Sequence, residues 1–455
     1  MDHRLWTINF KKSYLLLLLF PLLIQSCGTL KEASQDTSTS TTEDAISEDY
    51  FVPNSYEYTD KIYKENIQTA LLLVNKSALS YPIVNLHNPE PLVLSFDDLN
   101  GDFIRYNYKV IHCNADWTIS DLTAFDYIDG FTEDDIDDYR FSFNTLQSYT
   151  QYRAIIPNPN MRITKTGNYL LLVFQDNDEE EVVLTKRFMV YEEQARINSS
   201  IVRSSINRYL RTHQQLRFTI NNAGFRAFNP MLDLKVTILQ NGRWDNAIMN
   251  LKPQFIRTNE LVYDFRDQGL FKAGKEFRFF DCRDLDFLSE RIAKTWEAND
   301  TNYVKIAMDE ARELGRYRYW KDLNGRYFIG RYGGLTRLDA DYAWVQFTLP
   351  YPEPVTNGNV YIYGALSNWQ TEKRFQMQYN YDKKAYETAV FLKQGLYNYQ
   401  YVIWEDGKNT IDDTTFEGNY WGTENDYLIL VYYRPFNERY DQLISVQKVN
   451  SRTNQ

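Results

Sequence analysis

An all-β fold follows from three features of the sequence. Aromatic side chains make up 16% of the 455 residues, with 36 Tyr and 27 Phe, and large aromatic side chains suit the pleated, half-buried surface of a strand. From Ile67 onward, short segments alternate apolar and polar between turn signals, the period-2 pattern of strands with one buried face. The third feature recurs: a Gly, a short gap, an aromatic, then an apolar strand. It occurs at Gly167-Asn168-Tyr169 running into Leu170 to Phe174, at Gly274 and Phe277 running into Phe279 and Phe280, and at Gly395-Leu396-Tyr397 running into Tyr399 to Trp404. In immunoglobulin-like sandwiches a tyrosine near the start of one strand bonds back across a corner, two residues before a core position. Tyr169 before Leu171 and Tyr397 before Tyr399 keep that spacing. Copies about 110 to 120 residues apart predict three tandem immunoglobulin-like or early-set β-sandwiches.

The elements follow in order. Arg4, Lys11 and Lys12 precede the apolar run Tyr14 to Ile24, which ends in Ile24-Gln25-Ser26-Cys27. A charged start, a short apolar stretch and a small residue before a cysteine form a lipoprotein signal; the run is too short to span a bilayer. Residues 1–26 therefore read as a signal peptide, with Cys27 as the acylated residue. Residues 27–56 read as a flexible tether, because Gln35 to Glu48 is rich in Ser, Thr and acids and has little to bury. In the first sandwich, 57–191, strands are predicted at Ile67 to Val74, around Leu92, Leu94 and Phe96, at Tyr106 to His112, from Phe141, and at Tyr152 to Ile156. An acidic loop spans Asp126 to Asp138. The second sandwich is expected over 192–310, with Ser289 to Trp296 as a short helix or an irregular excursion. A connector over 311–340 carries one short strand at Tyr327 to Gly330. The third sandwich is expected over 341–435, followed by a tail, 436–455, with a loose strand at Ile444 and Val446.

The net charge is −11, and losing residues 1–26 makes it more negative. No Lys/Arg-rich run stands out, which argues against nucleic acid as a partner. There is no G-x-S-x-G, no H-E-x-x-H and no Gly-rich phosphate loop. His87, His112 and His213 lack metal-ligand spacing. His112 and Cys113 are neighbours on a strand and face opposite ways. The acidic loop lacks the D-x-D-x-D-G spacing that wraps calcium. The reading is no catalytic residue, no metal and no cofactor, with Cys113 and Cys282 as buried free thiols.

Several longer blocks carry a resemblance. Leu79-Ser80-Tyr81-Pro82, Leu94 to Asp102 (LSFDDLNGD), Tyr106 to Trp117 (YNYKVIHCNADW), Tyr127 to Phe131 (YIDGF), Asp138 to Thr145 (DYRFSFNT), Thr166 to Val173 (TGNYLLLV) and Asp322 to Arg326 (DLNGR) resemble the plug protein of the type IX secretion system of Bacteroidetes. That resemblance implies a non-enzymatic monomer, anchored by lipid to the outer membrane and facing the periplasm. It would close the periplasmic mouth of a large translocon barrel. Aromatic anchors on the first-domain loops, with Tyr127 and Phe131 as candidates, would carry the contact. In the third domain, Val360 to Gly364, Ser367-Asn368-Trp369 and Leu392 to Trp404 (LKQGLYNYQYVIW) are similar to early-set modules found beside glycogen-active enzymes. The alternative is thus a glycan-binding lipoprotein that stacks sugars on Trp369 and Trp404; core packing of both tryptophans is the favoured reading.

Overall fold

A computed structural model describes residues 56–453 apart from 76, 226 and 334–336. The signal segment and Cys27 lie outside the described residues. The described residues are predominantly β-structure with a few one-turn helices, arranged as three sandwiches.

The first sandwich pairs two sheets. One is ordered Lys61–Ile62, Asp178–Tyr191, Gly167–Gln175, Tyr106–Cys113 and Glu133–Asp135, with Ile83–Asn85 added parallel to the end of the second strand. The other is ordered Ile67–Val74, Leu92–Asp98, Thr150–Ile156 and Asp138–Phe141. The alternation of Leu92, Leu94 and Phe96 has its expected outcome: these three are buried and Val93 and Ser95 are not. Strand Gly167–Gln175 does not alternate, because both of its faces are covered. Tyr169, Leu171 and Val173 face the sandwich interior. Leu170, Leu172 and Phe174 face a second cluster, roofed by Tyr56, Tyr58, Tyr63 and Trp244.

The second sandwich is assembled from distant parts of the chain. One sheet holds Arg196–Arg203, His213–Asn221, Glu260–Tyr263 and Phe255–Arg257, with Leu270–Lys272 beside the second strand. The other is ordered Ile248–Leu251, Leu234–Gln240, Asp426–Tyr433 and Gln442–Asn450. The third sandwich lies between these pieces in sequence. Arg278–Asp281, Tyr327–Ile329, Gly358–Tyr363 and Thr410–Asp412 all pair with Gly395–Glu405. The facing sheet runs Ile292–Glu297, Asn302–Ile306, Tyr342–Pro350, Ala385–Lys393 and Gln378–Asn380.

This connectivity corrects the expected boundaries. Pairing crosses 310 and 435, so the ranges 192–310 and 341–435 do not coincide with the sheets. The 311–340 segment is not a bare connector: its short strand, found at Tyr327–Ile329, belongs to the third sandwich. The presumed tail supplies a full strand, with Leu443 and Ile444 buried. Ser289 to Trp296 leads into a strand rather than a helix. Of the three recurring Gly-aromatic signatures, two are real corners. The Tyr169 hydroxyl donates to the carbonyl of Lys165 at 2.8 Å and that of Tyr397 to Lys393 at 2.5 Å, each four residues back. The signature at Gly274 leads into Arg278–Asp281, an edge partner within the third sandwich.

Buried polar junctions lock the three sandwiches together. Between the first and third, Asp97 pairs with Lys393 at 2.5 Å, with both side chains out of contact with water. The Tyr342 hydroxyl donates to Asp97 at 2.7 Å, and the Lys393 ammonium lies 3.8 Å from the Tyr149 ring centre. Between the first and second, Asp441 accepts from the Ala115 N–H at 3.0 Å, from Lys235 at 2.8 Å and from Arg434 at 2.9 Å.

Candidate interaction surface

His112, the two cysteines and an arginine–carboxylate cluster are engaged inside the fold. His112 sits at the junction of the first two sandwiches. Its Nε2–H donates to the Thr166 carbonyl at 3.0 Å, which leaves Nδ1 to accept from the Ser120 hydroxyl at 2.9 Å. Burial lowers its pKa to about 4, against the opposing pull of the Thr166 carbonyl and Asp441. Cys113 and Cys282 are free and buried, and burial pushes each thiol up to about 12. In the third sandwich, Arg278 bonds Glu417 at 2.9 Å and Asp309 at 3.0 Å, and the hydroxyls of Tyr399 and Tyr401 complete Asp309. Burial would raise the Glu417 pKa, but the guanidiniums of Arg278 and Arg312 hold it down to about 2. This is a network inside the third sandwich, closed to solvent. Among the described residues, no group of three or more His, Cys, Asp or Glu could hold a metal ion.

Of the two aromatic anchors expected in the first-domain loop, only one is at the surface. The short helix Ala124–Tyr127 turns Tyr127 inward. Its hydroxyl donates to the Val110 carbonyl at 3.2 Å, and its ring packs on His112 and Tyr169. Phe131 is 66% exposed, and the loop adds two further apolar tips, Ile119 and Phe125, the latter 83% exposed. The second sandwich has exposed apolar tips of its own: Phe228 and Leu232 on one turn and Phe436, 95% exposed, on another. Polar ties join these loops. Arg439 reaches Asp126 at 3.3 Å and the Asp121 carbonyl at 3.1 Å, while Arg434 donates to Asn114 at 2.6 Å. The Arg434 N–H also donates to the Asp233 carbonyl at 2.9 Å. Asn229 caps the turn before Leu232, accepting from the Met231 N–H. The result is a set of exposed apolar side chains on loops that are individually pinned, the arrangement of a preformed protein-binding surface.

Trp369 and Trp404 are both half-buried against the third core. Trp369 has a left-handed backbone and lies over Gly325, which has φ +78° and leaves no room for a Cβ beneath the ring. Phe277, Tyr363 and Arg243 pack around the same indole.

Residues 67–192, from strand Ile67–Val74 to the end of the first sandwich, match the model of the type 9 secretion system plug protein 1st domain. The chain belongs to the type IX secretion system plug family. A crystal structure of a hypothetical protein from Parabacteroides merdae ATCC 43184, at 2.30 Å resolution, superposes on it with a TM-score of 0.83. The two are 34% identical, over 87% of this chain and 100% of that one. No curated protein matches the chain. Membership of the plug family gives the chain a part in type IX secretion and a structural role at the cell envelope. The matched first domain is the sandwich that carries Ile119, Phe125 and Phe131.

Proposed function

We propose that this protein binds the periplasmic mouth of the large outer-membrane translocon barrel of the type IX system and closes it, with Cys27 as a lipid anchor holding it at the inner leaflet. The apolar rim that the plug domain shares with the second sandwich carries this reading. A plug must keep its shape against a wide pore, and the sandwiches are joined by the buried Asp97–Lys393 pair between the first and third and by hydrogen bonds of Ala115 with Asp441 and of Asn114 with Arg434 between the first and second. It must also release, so the contact should rest on a few aromatic anchors rather than on a large obligate interface. Phe125, Phe131 and Phe436 are such anchors: they are exposed and sit on tied loops, so their removal spares the core.

The test is affinity purification of the tagged full chain from native membranes. The wild-type chain should bring down a barrel protein several times its size. Phe125→Ser with Phe131→Ser should lose most of it while melting at an unchanged temperature. Recovery of the barrel by the double variant would refute the rim. Absence of any barrel partner for the wild-type chain would refute the plug reading itself.

A further inference from the structure

Strand Asp178–Tyr191 contains an inward-facing lysine. Leu184 and Phe188, two residues to either side of Lys186, are part of the first core, and Lys186 itself is 6% exposed. An ammonium group costs several kcal/mol to bury without a counter-charge. Its one hydrogen-bond partner is the Asn368 side-chain oxygen, 2.7 Å away in the third sandwich. Asp60 and Glu372 act on it only at longer range. Asp60 accepts the Arg187 N–H at 2.6 Å, and Glu372 pairs with Arg374 at 2.7 Å. Among the described residues Lys186 forms no ion pair.

Lys186 lines a cleft of about 130 Å³ where the three sandwiches meet. That volume is close to the 150 Å³ of an apolar cavity that takes up benzene. Its walls are mostly apolar, with Leu71, Leu73, Leu79, Tyr81 and Trp369 among them. Two glycines in left-handed conformation set the ring positions: a Cβ on Gly242 would meet the Tyr81 ring at 2.3 Å, and one on Gly325 the Trp369 ring at 2.3 Å. Arg326 closes the cleft from one side. Its guanidinium lies 4.9 Å from the Tyr81 ring centre and donates to the Leu79 carbonyl. Three cations, Lys186, Arg187 and Arg326, thus border a slot that Asp60 also lines, while Asp426 stands behind it, 3.6 Å from Arg326 and 3.4 Å from the Tyr81 hydroxyl.

We propose that this cleft binds a small apolar carboxylate, which pairs with Lys186 Nζ and lays its apolar part between Tyr81 and Trp369. The carboxylate could be a free organic acid or the C-terminal residue of an extended peptide; both present the same chemistry. The cleft is independent of the apolar rim, so failure of one leaves the other standing.

Calorimetric titration of the full chain decides it. The probes are phenylacetate, phenylacetamide, and the peptide acetyl-Gly-Gly-Phe as acid and as amide. Phenylacetate should bind saturably, and each amide at least about tenfold more weakly than its acid. Tighter binding of the peptide acid than of phenylacetate assigns the C-terminal residue as the source; the reverse order assigns a free acid. Lys186→Met should weaken acid binding at least about tenfold. Ala78→Leu, which narrows the cleft without touching Lys186, should abolish it and carries the test if Lys186→Met does not fold. Equal binding of acid and amide, unchanged binding by either folded variant, or no binding by the wild-type chain overturns the proposal and leaves Lys186 as a strut to Asn368.

Discussion

His112 shows how one buried side chain couples pH to the joint between sandwiches. Its pKa is lowered to about 4 by burial, against 6.5 in an unfolded chain. Between those values the unfolded chain takes up a proton that the native state refuses. Stability is therefore complete above about pH 6.5 and falls as the pH drops toward 4. From pH 7.5 to pH 5.0 this site should cost about 2 kcal/mol. Urea melts at both pH values measure it, with His112→Gln as the reference. The variant should lose less than the wild-type chain, and equal losses would remove His112 as the source. Glu417 acts in the opposite range. With its pKa held down to about 2 from an ordinary 4.5, its contribution is complete above about pH 4.5 and is lost as the pH falls from there toward 2, below most of the histidine's window.

Among the elements, the two tyrosine corners carry a direct expectation. Tyr397→Phe removes a hydroxyl that donates to a buried carbonyl and changes nothing in the packing volume. It should cost about 1 kcal/mol, read from the urea midpoint at unchanged slope. A change within error would mean that the carbonyl of Lys393 finds another donor. These corners were legible because a Gly, a tyrosine and an alternating strand are all local. So were the strands around Leu94, Val110 and Tyr152. What local pattern cannot carry is the identity of the neighbouring strand. The apolar residues of Leu234–Gln240 mark a strand buried on both faces, but its partner Asp426–Tyr433 lies nearly two hundred residues away in sequence. The same limit explains the site. Tyr127 and Phe131 look equivalent as aromatics in a loop, and only the one-turn helix at Ala124–Tyr127 separates them, turning the tyrosine in. Phe436 could not be linked to Phe125, because Arg439 and Asp126 meet only in the folded body. The DLNGR block that contributed to the resemblance has a structural use: Gly325 makes room for Trp369 and Arg326 reaches Leu79.

At the scale of the whole molecule, the Asp97–Lys393 pair tests whether the sandwiches act as one body. Asp97→Asn removes the carboxylate that faces the buried Lys393 ammonium at 2.5 Å and should cost about 3–5 kcal/mol. Pairing it with Lys393→Met should recover most of that loss, since an apolar replacement of both charges is often neutral. Melts of the three proteins should each show a single transition. A wild-type-like double variant beside a crippled single one makes the pair a matter of fit between domains. A single variant that instead melts in two steps would mean that the first and third sandwiches are only loosely joined.

The interrupted second sandwich also imposes an order on how the molecule comes into being. A chain exported from its N-terminus delivers the strands of the first and third sandwiches before Gln442–Asn450 arrives. The second sandwich, split around the third, is thus the last that can close. Until then Asp426–Tyr433 has one free edge, and the turn that carries Phe436 is not closed. The loops that carry Phe436 and Arg439 therefore reach their final places only after the rest of the body has formed.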